Sequence, residues 1–130
     1  MRNILKISII MSFLAVLTGL IAACDSSSST TASGPNQVHM SDTNFVQTSI
    51  TIKKGESITL VNDVSAIHII TNGTWDSNGN ARPKTEPGAP AINDQVGGSA
   101  TQNVGPFNSA GTFQLYCTVH PGMNLTVLVK

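Results

Sequence analysis

The tightest constraint on the fold lies in the final stretch, "GTFQLYCTVHPGMNLTVLVK". Two runs alternate between apolar and polar side chains, and Thr118–Gly122 separates them. In the first run Phe113, Leu115 and Cys117 share one face, while Thr112, Gln114 and Tyr116 share the other. In the second, Met123, Leu125, Val127 and Val129 share a face. A period of two marks a strand with one buried side, so two successive strands must cover a core. Pro121-Gly122 suits a turn between them. Cys117 then closes one strand, Met123 opens the next, and His120 lies near the apex. One short loop aims a thiol, an imidazole and a thioether at a common point.

The rest of the chain also reads as β. "SITIKKGESITLVN" (Ser49–Asn62) is two alternating runs joined by a Lys-Lys-Gly turn. "AIHIIT" (Ala66–Thr71) is apolar on both faces except for His68, which places it centrally in a sheet. Residues 72–111 are rich in Gly, Pro, Asn and Ser. A structureless loop of that length is unusual in a compact domain, so one or two short strands are expected there, around Ala91–Val96 and Ser99–Val104. Beyond the first 23 residues no segment holds a helical period over three turns. The expected class is all-β, a small β-sandwich.

The chain starts "MRNILKISIIMSFLAVLTGLIAAC", with Arg2 and Lys6 ahead of an apolar run that ends in small residues. That is the layout of a secretory signal, although the run also approaches the length of a membrane-spanning helix. "IAAC" (Ile21–Cys24) resembles the lipobox of bacterial lipoproteins, which implies cleavage before Cys24 and acylation of its thiol. On this reading residues 1–23 are a signal peptide, 24–36 a Ser/Thr-rich tether and 37–130 the folded domain. The protein is then exported and lipid-anchored to the outer face of the cytoplasmic membrane. A tether of this composition spans roughly 20 Å, enough to clear the headgroups. Without residues 1–23, five Lys and Arg remain against seven Asp and Glu, a formal charge of −2. That is no footprint for nucleic acid. With Cys24 acylated, Cys117 is a lone thiol in an oxidising compartment, where it must be buried or bound to metal.

His68 in the central strand offers a fourth donor to Cys117, His120 and Met123. Two His and one Cys with a long axial Met is the set that suits blue copper, whereas zinc gains nothing from a thioether. From "ITIKKGESITLVN" through His68 to "GTFQLYCTVHPGM" the chain resembles the plastocyanin-like cupredoxins, over most of residues 37–130. Two residues separate Cys117 from His120 and two separate His120 from Met123, a short loop more similar to amicyanin than to plant plastocyanin. The resemblance implies a Greek-key β-sandwich with one type I copper per chain, ligated by His68, Cys117, His120 and Met123. It implies an extracytoplasmic one-electron carrier, not an enzyme, whose redox partners dock near His120. We expect a monomer. The alternative is a copper carrier or buffer that uses the same ligands to deliver the ion to another protein. One departure stands out: family members often have Asn after the first His, bonded toward the residue after Cys, and this chain has Ile69.

Four further residues or turns have more than one reading each. Tyr116 occupies a family position that serves as a second electron route, but is as readily an exposed strand residue. His39 beside Met40 reads as a solvated histidine rather than a second copper site. Asp76–Asn80 reads as a turn rather than a calcium loop. Trp75 is core, lid or docking surface.

Overall fold

The computed structural model describes residues 34–130. The expected signal peptide, Cys24 and most of the tether lie outside the described residues. Nine strands follow in chain order: β1 (Gln37–Met40), β2 (Ser49–Ile52), β3 (Ile58–Asn62), β4 (His68–Trp75), β5 (Ala81–Pro83), β6 (Asn93–Val96), β7 (Thr101–Val104), β8 (Gly111–Cys117) and β9 (Asn124–Val129). Among the described residues no helix is long and apolar enough to cross a membrane.

The strands form the expected sandwich. One sheet runs β1-β3-β7; the other runs β2-β9-β8-β4, with β6 and β5 sharing the remaining edge of β4. β1 joins β3, and β2 joins β9, in parallel; the other pairings are antiparallel. The alternation seen in the sequence becomes the core. Val38, Met40, Ile58, Leu60 and Val104 of the smaller sheet pack in one cluster with Ile70, Phe113, Leu115, Leu125 and Val127 of the larger. None of them is more than 2% exposed. Burying a side chain of this kind contributes about 1.5–3 kcal/mol. Phe107 meets Phe113 inside the sandwich with ring centroids 5.7 Å apart.

The Lys53-Lys54-Gly55 turn is present, with Gly55 at φ +89°, but it does not close a hairpin. β2 and β3 lie in opposite sheets. The reason is the bonding on either side of the turn. Lys54 N donates to Lys130 O at 2.8 Å, which keeps β2 on β9. Gly55 N donates to Phe107 O at 2.8 Å and Phe107 N to Glu56 O at 2.9 Å, which commits the far side to the chain leaving β7. The turn is a corner between layers.

Within residues 72–111, β6 and β7 fall where strands were expected, and β5 is an addition. All three residues of β5 are exposed, so no alternation announces it. It exists because β4 runs on past Thr71 and kinks at Gly73, where φ is +126°. A Cβ there would lie 2.3 Å from Arg82 O, so the position admits only glycine. Beyond the kink, Gly73–Trp75 pairs with Ala81–Pro83 as a short ribbon. Asp76 closes the ribbon's turn: its Oδ1 accepts from Asn78 N and Asn80 N, both at 2.9 Å, and its Oδ2 accepts from Arg82 Nε at 2.9 Å. The Asn80 amide, then Arg82 and Asn78, hold its carboxyl at about 2. This is the turn expected from the sequence.

Asn72 sits just before the kink with its side chain buried. Its Oδ1 accepts from Ile92 N at 2.7 Å and its Nδ2 donates to Pro90 O at 3.1 Å. The amide thereby fastens the returning chain to the sheet. Asn72→Ala strands the buried Ile92 N–H and is expected to lower the unfolding free energy by about 2–3 kcal/mol. Urea denaturation of the metal-free protein measures this, and an unchanged midpoint would show that the staple is dispensable.

Candidate metal centre

The centre forms at the end of the sandwich where β4 begins and β8 ends. Cys117 is the last residue of β8, on its inner face, and is 0% exposed. His68 opens β4 and is likewise 0% exposed. Its approach is set by Asn62, a buried residue at the end of β3. The Asn62 amide donates to Ala66 O at 2.7 Å and to Gly97 O at 2.8 Å, while its Oδ1 accepts from Val64 N at 3.3 Å. The loop that delivers His68 is therefore folded around an interior amide whose donors and acceptor are all used. His120 stands in the Thr118–Gly122 loop, partly exposed. Met123 N donates to His120 O at 3.1 Å and Cys117 N to Met123 O at 3.0 Å, which closes the loop at its base. Gly122 takes φ +84° to complete the turn.

Three of the four expected donors converge as side chains. Cys117 Sγ lies 3.4 Å from His120 Nδ1 and 3.8 Å from His68 Nδ1, and the two Nδ1 atoms are 3.2 Å apart. A metal bonded at about 2.0 Å to nitrogen and about 2.3 Å to sulfur, with angles of about 110–120°, spaces such donors about 3.3–3.7 Å apart. The triangle thus has chelate dimensions to within a few tenths of an ångström. The imidazoles are tilted by 58° with centroids 4.8 Å apart, so their nitrogens rather than their faces meet. Two nitrogens and one thiolate fit copper by donor type. Met123 is 1% exposed, and its backbone is bonded to both Cys117 and His120. Among the described residues, no other group of three His, Cys, Asp or Glu side chains converges in this way.

The outer wall of the site holds what the sequence reading missed. The ribbon beyond Gly73 lies across the outer face of the larger sheet and lays Trp75 over Tyr116, edge to face, with centroids 5.8 Å apart. Trp75 Nε1 donates to Cys117 O at 2.8 Å. Trp75 N donates to Asn124 Oδ1 at 2.7 Å, and Asn124 Nδ2 returns a bond to Trp75 O at 3.0 Å. Trp75 is a lid, and Tyr116 beneath it is 3% exposed rather than the exposed strand tyrosine of one sequence reading. The only trace in the sequence was a single aromatic residue in a Gly- and Asn-rich stretch. Ile69, which stands where the resemblance predicts Asn, reaches the residue after Cys117 through its backbone: Ile69 O accepts from Thr118 N at 2.9 Å. His39 is not solvated. It is partly buried, with Nδ1 2.8 Å from Asp63 Oδ2, and it joins no cluster of metal donors.

Burial, followed by the nearby His120, holds His68 below its ordinary value of 6.5; the Ser41 backbone and the Asp42 carboxylate oppose this less strongly. A neutral imidazole keeps a lone pair for a metal. In the metal-free protein the unfolded chain therefore binds a proton that the folded His68 resists, so stability rises with pH across that window. The contribution is complete above the unfolded-state value and is lost as pH falls through the folded-state one. The denaturation midpoint of the metal-free protein is expected to fall as the pH is taken below the ordinary imidazole value of 6.5, and His68→Gln to flatten that slope. Parallel titrations of the two proteins check it.

The family described as copper binding proteins, plastocyanin/azurin family, matches residues 32–130. Solved structures of amicyanin share the fold. A reduced Cu(I) form of an amicyanin mutant at pH 4 aligns with a TM-score of 0.56 and 20% identity, covering 76% of this chain and 85% of that one. Amicyanin from Paracoccus versutus (Thiobacillus versutus) aligns with a TM-score of 0.54 and 22% identity over 72% of this chain and 79% of its own. The Cu(I) form of a further amicyanin mutant gives 0.55 and 23% over 76% and 85%. No curated protein matches the sequence significantly. Proteins of this family carry electrons rather than transform substrates. The chain belongs to the plastocyanin/azurin family of copper-binding proteins, with copper as its cofactor.

Proposed function

We propose that this protein is an extracytoplasmic one-electron carrier with a mononuclear type I copper centre held by His68, Cys117, His120 and Met123. The observation that carries the reading is the buried triangle of Cys117 Sγ and two imidazole Nδ1 atoms, each edge between 3.2 and 3.8 Å. When bound, copper supplies a reversible Cu(II)/Cu(I) couple. The chain's own work is to keep the donors still and dry. Cys117 and His68 are fixed on strands and fully buried, so water is excluded and the thiol is protected from oxidation. His120 alone among the donors reaches the surface. Val119 beside it is 47% exposed, and Ile67, which precedes His68, is 52% exposed. Apolar side chains around one ligand edge suit brief docking of a redox partner, and the electron leaves through His120. Full burial of two donors opposes the ready exchange that a copper carrier needs. The lipobox-like "IAAC" supports anchoring through Cys24, with the domain outside the membrane.

Residues 32–130 loaded with Cu(II) are expected to show an intense thiolate-to-copper visible band and one copper per chain. Cys117→Ser abolishes the band; Met123→Leu keeps it and shifts the reduction potential, which the axial ligand tunes. A colourless protein, or one that retains zinc instead, overturns the electron-transfer reading. Rapid loss of copper to a chelator moves it to the carrier. For the anchor, the full-length protein is expected in the membrane fraction as a processed chain that begins at Cys24 and takes up labelled fatty acid, with Cys24→Ala abolishing the label. A wild-type membrane chain that keeps residues 1–23 and takes up no lipid would point to a retained N-terminal helix.

A further inference from the structure

The ligand loop begins at Cys117 and ends at Met123, and both ends are tied to one residue far away in sequence. Trp75 Nε1 takes the Cys117 carbonyl, and the Asn124 amide, immediately after Met123, uses both its oxygen and its nitrogen on the Trp75 backbone. An indole N–H at the edge of a sheet has solvent available to it. Here it is aimed instead at the carbonyl of a residue whose own N–H is bonded to Met123 O. Cys117 is therefore held on one side by the far end of the loop and on the other by Trp75. Inside the loop, the backbone bonds are Thr118 N to Ile69 O and Met123 N to His120 O. None of these bonds uses the Cys117 carbonyl or reaches the outer side of the loop's base, which only Trp75 and Asn124 take among the described residues. Tyr116, between β4 and β9 and pressed under the Trp75 ring, keeps the indole from swinging away.

We infer that Trp75 and Asn124 form a clamp that positions the ligand loop, fixing its Cys117 end through the indole and its Met123 end through the amide. Trp75 is a positioning residue: its hydrogen bonds go to Asn124 and to the Cys117 carbonyl, not to the donor atoms. The inference rests on the copper reading above for its function, but its mechanics are present without metal. It gives the 73–83 ribbon a purpose: to bring a hydrogen-bond donor over the back of the site.

Trp75→Phe keeps an aromatic face on Tyr116 and removes the donor. In the metal-free full-length protein, hydrogen exchange at the Cys117, Thr118 and Met123 amides is expected to accelerate about five- to tenfold, equivalent to about 1–1.4 kcal/mol. Amides of β1, β3 and β7 keep their protection. In the copper-loaded protein, loss of copper to a chelator accelerates by a similar factor and the copper hyperfine splitting shifts. Asn124→Ala produces the same pattern from the other end. Because the two residues act as one unit, the double variant is little worse than either alone. Unchanged loop exchange in Trp75→Phe, or a loss of protection spread evenly over both sheets, overturns the clamp and leaves the copper centre standing. A wild-type protein that binds no copper overturns the copper reading, and the metal-free exchange still decides the clamp.

Discussion

The copper end of the molecule depends on β8 being held on both sides. Its ladder with β9 runs from Gly111↔Val129 to Tyr116↔Asn124, and its last residues pair with β4 from Asn72↔Leu115 to Ile70↔Cys117. A strand flanked in this way cannot slip by one residue without turning every core side chain outward. The same slip would move Cys117 to the face now occupied by Tyr116. The register that buries Phe113 and Leu115 is thus the register that points the thiol at the two imidazoles. Packing and ligand geometry are here one constraint.

Around that ladder, buried amides solve problems that apolar residues cannot. Asn62 and Asn72 are among the few polar side chains in the interior, and each gathers backbone groups of an irregular segment that would otherwise lack partners. Asn62 shapes the approach to His68, and Asn72 secures the return toward β6. Irregular backbone close to a core needs such partners, and this chain supplies them with neutral side chains rather than buried charges.

What could be read from the sequence followed the range of the interactions. The faces of β8 and β9 were legible because alternation is local, and the meeting of Cys117 with His120 was legible because one loop contains both. His68 needed only the recognition of a central strand with one polar residue. The sheet membership of β2 and β3 was not legible. The Lys-Lys-Gly turn is local, but the bonds that pull its two sides apart go to Lys130 and Phe107. The roles of Trp75 and Asn124 were hidden for the same reason: their bonds span 42 and 49 residues of sequence. β5, exposed along its whole length, carried no pattern at all.

Gly73 adds a last consequence. Its backbone angle, reachable without cost only where there is no Cβ, decides whether the chain after Asn72 prolongs β4 in the plane of the sheet or doubles back over it. A straight continuation would carry Trp75 away from Tyr116 and leave the Cys117 carbonyl facing water. The rear wall of a site built from sulfur and imidazole is thus routed by a residue with no side chain. Its fitness for that task is the absence of an atom.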